Sequence, residues 1–150
     1  MTEAAQDTSP IVQEMVIAAS VERVFDLFAD PAHLVRWWPD AATFEPRVGG
    51  KVEFVFEGRA KVSGEVTRFE PPNALSFTWV PSVAPDAPTR VAISLADLGD
   101  GRCRVVLVHS GWEAMPEAVE RREAHRAGWE HYLDCLADLA EGRPVDKTFN

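Results

Sequence analysis

The sequence predicts one α+β domain, an antiparallel sheet with its helices on one face and the longest helix last. Three observations lead there. Between Val52 and His109 apolar residues recur at every second position, in runs broken by short turns rich in Gly, Pro and Asp. From Glu117 to Gly142 the period changes to three and four, through Gly128/Trp129, Tyr132/Leu133, Leu136 and Leu139/Ala140, as on one face of a helix. The order is strand, two short helices, a run of strands and one long helix, and helices gathered on one sheet face are the economical packing for that order.

Each element has its own signal. Ile11 to Ile17 is short, β-branched and partly alternating, which suits a strand. Ser20 then offers an N-cap, Glu22 complements the helix dipole, and Val21, Val24, Phe25 and Phe28 share one helical face. Asp30-Pro31 reads as the cap and first residue of a second helix that carries Leu34, Val35, Trp37 and Trp38 and stops at Pro39. Neighbours on a helix point about 100° apart, so one tryptophan of the pair is expected in the core and the other at an edge. Gly49-Gly50 turns the chain into Val52, Phe54 and Phe56. Ala60, Val62, Gly64 and Val66 form the next alternating set, followed by Leu75, Phe77 and Trp79, then Val91, Ile93 and Leu95, and last Cys103, Val105, Leu107 and His109. On the long helix Glu117, Arg121, Glu123, Arg126, Glu130 and Asp138 fall opposite the apolar face, with Glu117 placed to pair with Arg121. Gly142 and Pro144 mark its end. The expected organisation is a flexible N-terminus over 1–10, one domain over 11–142, and a C-terminal tail over 143–150.

A chain of 150 residues can bury one core without disulfides or metals. Its net charge of −9 and the lack of any Lys/Arg cluster speak against nucleic acid and anionic membrane as partners. Cys103 and Cys135 read as separate reduced thiols, which fits a cytoplasmic location. No stretch has the character of a signal peptide or a membrane span, so no membrane insertion is expected.

The runs IAASVERVFDLFADPAHLVRWWP, VGGKVEF, GEVTRFEPPNALSFTW, VVLVHSGW and HRAGWEHYLDCLADL resemble the START-like (SRPBCC) helix-grip proteins, specifically the AHSA1-like branch of Hsp90 ATPase activator homologues. The resemblance spans about Ile11 to Glu141. It implies a curved antiparallel sheet gripping the C-terminal helix, with a cavity between them closed by the short helices. Proteins of this superfamily include lipid carriers, hormone receptors and polyketide cyclases, so fold alone fixes no reaction. The branch name implies a chaperone role and stress response. Members that stimulate Hsp90 carry a further N-terminal domain, whereas ten residues precede the first strand here, so ligand binding ranks ahead of that role.

Chemical motifs narrow the reading further. His33, His109, His125 and His131 lack metal-ligand spacing, and Ser110 beside His109 projects to the other sheet face, so no metal, cofactor or catalytic dyad is expected. His109 shares the inward parity of Leu107 and could orient a ligand or carry a proton, against the plainer reading of a hydrogen-bonded structural histidine. Arg36 offers a guanidinium beside the tryptophan pair, against the reading of a solvated helix arginine. The expected site is therefore an apolar cavity lined by Trp37, Phe54, Phe56, Phe77, Trp79, Leu107 and Trp129, with His109 among its few polar contacts and with Ala60 and Gly64 leaving space for a planar or acyl ligand. The expected function is binding of a hydrophobic or aromatic small molecule. The alternatives are an Hsp90-type co-chaperone, or a polyketide-cyclase-like enzyme working through His109 or a sheet carboxylate such as Glu65; a chaperone or a second copy of the chain is the alternative partner.

Overall fold

In a computed structural model, residues 7–149 are described. The first six residues of the expected flexible N-terminus lie outside that range. β1 (Ile11–Ile17) is followed by α1 (Val21–Ala29) and α2 (Pro31–Trp37), then by β2 (Ala41–Phe44), β3 (Lys51–Phe56), β4 (Ala60–Glu70), β5 (Ala74–Pro81), β6 (Thr89–Gly99) and β7 (Arg102–Ser110). A short 3-10 turn at Trp112–Ala114 leads to α3 (Ala118–Ala140). All seven strands join in one sheet in the order β1-β7-β6-β5-β4-β3-β2, with every pairing antiparallel. Register shifts interrupt the β4/β5 ladder between Val66 and Arg68 and the β6/β7 ladder between Asp97 and Gly99. Such irregularities bend strands, and here they help the sheet curve around α3.

Local chemistry accounts for the ends of the short helices. The Ser20 hydroxyl accepts the Arg23 amide at the start of α1, and the Asp30 carboxylate accepts the Ala32 amide at the start of α2, with Pro31 in the first turn where its missing N–H has no cost. The alternating sets are buried as their parity predicts: Val52, Phe54 and Phe56 on β3; Leu75, Phe77 and Trp79 on β5; Cys103, Val105, Leu107 and His109 on β7. α3 lays Trp129, Tyr132, Leu133 and Leu136 onto that surface.

The tryptophan pair departs from expectation, because both rings are buried. The 100° argument applies only inside a helix, and Trp38 is already outside one, with φ −131° and ψ −98°. Trp37 turns back towards α1, where its indole N–H donates to the Leu27 carbonyl at 2.8 Å. Trp38 turns the other way, into the space between sheet and α3.

Both ends of the described chain fold back on α3. The Arg122 guanidinium donates to the Ser9 carbonyl at 2.7 Å and lies 3.5 Å from the Asp7 carboxylate. After α3, Lys147 donates to the carbonyls of Val35 and Pro39 at 2.7 and 3.1 Å, and Phe149 stacks on His131 with 5.2 Å between ring centres. This places residues 143–149 against α2 and α3.

Candidate functional site

A cavity of about 360 Å³ opens between β3, β4 and β5 on one side and α3 on the other. Its floor is formed by the buried side chains of Phe56, Val62, Trp79, Pro81, Trp129 and Tyr132. Exposed residues of the β3–β4 hairpin (Arg59, Ala60, Lys61) and of the segment after β5 (Ser82, Val83) form its mouth. Arg121, Ala124, His125 and Gly128 complete the α3 wall, and Phe149 reaches the cavity from the C-terminal segment.

Three of the residues expected from sequence meet there: Phe56, Trp79 and Trp129. Trp37, Phe54, Phe77, Leu107 and His109 are buried but do not line the cavity. Trp38 accounts for the displacement. Its indole stacks on Trp79 at 5.6 Å and 7°, and its ring centre lies 4.8 Å from Trp129 and 4.6 Å from Phe54. Trp38, just past the end of α2, thus fills space that alternation alone leaves open, and the cavity lies at the hairpin end. Gly64 makes no room either, since a Cβ there would collide with the Thr78 carbonyl oxygen. Ala60 does line the cavity; Arg36 is exposed and lies outside it.

His109 belongs to a closed cluster behind the cavity. Trp129 Nε1–H can only donate, so His109 Nδ1 accepts it, at 3.0 Å. The Thr89 hydroxyl gives its proton to the Trp79 carbonyl at 2.8 Å and therefore accepts from His109 Nε2–H, also at 2.8 Å. Trp112 donates its indole N–H to the His109 carbonyl at 2.9 Å. Every donor in this cluster meets an acceptor, and the imidazole is held as one neutral tautomer. Burial pushes its pKa well below the usual 6.5, and the nearby His125 acts in the same direction.

His125, on the cavity wall, is tied in a similar way. Its Nδ1–H donates to the Arg121 carbonyl at 2.7 Å, which leaves Nε2 to accept Trp79 Nε1–H at 3.2 Å. Burial lowers its pKa, the Arg121 carbonyl opposes that shift, and the Arg121 charge adds to it.

The polar groups at the mouth have fewer partners. Arg59 Nη2 donates to the Tyr132 hydroxyl at 2.6 Å, while its guanidinium carbon lies 5.4 Å from the Phe56 ring centre and 5.5 Å from that of Phe149. Burial raises the Tyr132 pKa, with the Arg59 charge and hydrogen bond opposing, so the phenol stays protonated at neutral pH. Arg121 pairs with Glu117 at 3.2 Å, yet its buried Nε has no hydrogen-bond partner among the described residues. Lys61 is 3.8 Å from Glu53.

Sequence reasoning missed Arg59, Arg121, His125, Tyr132 and Phe149 as cavity residues. A signal existed for Tyr132, which shares the apolar face of α3 with Trp129 and Leu136. Spacing puts Arg121 on the solvent face of α3, yet it lines the cavity together with residues of the β3–β4 hairpin. The positions of Arg59 and Phe149 depend on contacts between segments distant in sequence, which no local pattern records.

Comparison with known proteins places this geometry in context. The family model described as Activator of Hsp90 ATPase homolog 1-like protein matches residues 18–141. A protein from Mesorhizobium loti has a similar structure, with a TM-score of 0.79 at 21% identity, over 91% of this chain and 99% of that one. The Aha1 dimer from Colwellia psychrerythraea gives 0.76 at 21%, over 88% and 96%, and an Hsp90 activator from Plasmodium falciparum gives 0.72 at 19%, over 91% and 98%. At these identities the likeness is one of fold. None of the curated proteins matches the sequence significantly. No helix among the described residues is long and apolar enough to cross a membrane.

Proposed function

The chain belongs to the Activator of Hsp90 ATPase homolog 1-like family, and from that premise we propose that it is a small-molecule binding protein that takes one hydrophobic or aromatic ligand into the cavity between β3–β5 and α3. The observation that carries this reading is an apolar-floored cavity beside the tightly packed rings around Trp38. Domain interiors normally approach crystal density, and this one does so around Trp38, where four other rings pack within 6 Å of its own. A volume of about 360 Å³ lies in the lower part of the ~300–1,000 Å³ range of small-molecule sites. The cyclase-like alternative requires His109 or a sheet carboxylate such as Glu65 at the ligand, and the cavity lining contains neither His109 nor a carboxylate.

Gly128 provides the test, because a Cβ there would meet only the Phe149 ring, at 3.9 Å, and a larger side chain would enter the cavity. Gly128→Leu is expected to weaken binding of the neutral probe N-phenyl-1-naphthylamine at least about tenfold, with the melting temperature held or raised because leucine favours helix over glycine. Native mass spectrometry of the purified protein should also show a retained small molecule that the variant lacks. Equal probe binding by the two proteins would overturn the reading.

The family and two of its structural neighbours supply a second reading, a protein-interaction role with an Hsp90-type chaperone. Stimulated ATP turnover by such a chaperone, undiminished in Gly128→Leu, would favour it over ligand binding.

A further inference from the structure

We propose that the ligand is an apolar molecule bearing a carboxylate, with Arg59 and Arg121 holding its charged end. The inference rests on the cavity being a ligand site, and it narrows the class of ligand. The charged residues lining the cavity are Arg59, Lys61 and Arg121, with no Asp or Glu among them, in a chain whose net charge is −9. Arg121 and Lys61 have carboxylate partners in Glu117 and Glu53, whereas Arg59 has none among the described residues, so an anion bound in the cavity would supply the charge that Arg59 lacks.

The hydrogen-bond inventory points the same way. Arg121 makes one side-chain hydrogen bond among the described residues, from Nη2 to Glu117, and its Nε, enclosed by protein, makes none, so the exposed edge of the guanidinium is what a ligand would meet. Arg59 has aromatic rings near its guanidinium, so the N–H donors at its edge are the part left for a ligand, and only one is directed at the Tyr132 oxygen. That oxygen accepts from Arg59 and keeps its own proton, which makes it a further donor beside the arginine. Forked N–H donors match the two coplanar oxygens of a carboxylate better than an ammonium would, so two arginines at the site favour this group. The body of the ligand then lies against Phe56, Trp79 and Trp129, and the volume limits it to about a fused ring pair or a medium acyl chain.

A matched pair of probes tests the charge separately from the apolar body. 2-Naphthoate should displace N-phenyl-1-naphthylamine about tenfold more effectively than 2-naphthamide at pH 7.5. Arg59→Gln and Arg121→Gln should each bring that ratio close to one while leaving naphthamide affinity within about twofold, with unchanged melting temperature as the control for folding. An equal response to both probes in the parent protein, or a preference for the acid that survives in both variants, would overturn the carboxylate proposal and leave the apolar site standing. Failure of both probes to bind the parent protein would instead remove the ligand site itself, and this proposal with it.

Discussion

Two polar clusters meet α3, and they differ in one respect that separates their roles. Around His109 every hydrogen-bond donor has its acceptor: Trp129 gives to the imidazole, the imidazole to Thr89, and Thr89 to the Trp79 carbonyl. Around Arg59 and Arg121 the inventory is incomplete, with one enclosed Arg121 nitrogen unpartnered among the described residues and both arginines lining an open apolar space. A completed buried network ties elements together, here β5, β6, β7 and α3, and has little left to offer a ligand. An incomplete one gives up some stability and keeps its recognition capacity for another molecule. The residue that chemical intuition selects from the sequence, His109, is thus in the cluster that holds the fold.

The largest effect is expected where the closed cluster is broken. Trp129→Ala removes a large ring from the core and leaves His109 Nδ1 without its donor. Loss of a buried tryptophan costs about 3–5 kcal/mol, out of the ~5–15 kcal/mol that holds most domains folded. Arg59→Gln, at the exposed mouth, should shift stability by less than about 1 kcal/mol. Urea denaturation at pH 7.5 measures both, and similar losses in the two variants would erase the distinction between the clusters.

A smaller effect of fixed sign is expected from pH. His109 and His125 have folded-state pKa values below the ordinary 6.5, because burial disfavours the imidazolium. Above the unfolded value both states are neutral and the histidines contribute no pH dependence. As pH falls below about 6.5 the unfolded chain takes up protons that the folded chain refuses, so stability declines until the folded pKa is reached. The limiting slope is about 1.4 kcal/mol per pH unit for each histidine. Denaturation midpoints should therefore fall between pH 7.5 and 5.5, and His109→Gln, though less stable at pH 7.5, should show a shallower decline. A flat profile would mean that the imidazoles can be protonated in place and that the cluster is less closed than its geometry indicates.

The two regions were unequally legible in the sequence. The inward parity of His109 with Cys103, Val105 and Leu107 is a property of one strand, and the structure places it as that parity requires. The helical face carrying Trp129 and Leu133 is likewise local. What completes the closed cluster, Thr89 on β6 and the indole of Trp129, comes from elsewhere in the chain. The cavity depends on tertiary geometry at three points: Trp38 escaping its helix to fill the middle of the core, the hairpin carrying Arg59 to Tyr132, and the C-terminal segment returning to the α3 surface. Charge gave little guidance, because three cations spread over Arg59, Lys61 and Arg121 form no run in sequence.

The smallest expected effect concerns that returning segment, and it tests whether the open cluster has a movable wall. Phe149 is half-buried, with its ring stacked on His131, 5.8 Å from Tyr132 and 5.5 Å from the Arg59 guanidinium. It sits at the edge of the cavity, and the segment before it is anchored chiefly through Lys147 to the Val35 and Pro39 carbonyls. Truncating a half-buried ring at a chain end should cost about 1 kcal/mol or less in stability. A bound molecule would nevertheless lose one wall, so Phe149→Ala is expected to speed probe dissociation several-fold in stopped-flow fluorescence with little change in the association rate, the usual division when contacts are lost but the approach is unaltered. Lys147→Ala, which frees the anchor and keeps the ring, should move dissociation in the same direction by less. If dissociation were unchanged in both variants, the segment would be packed beside the cavity without forming part of it, and the open cluster would consist of the hairpin and α3 alone.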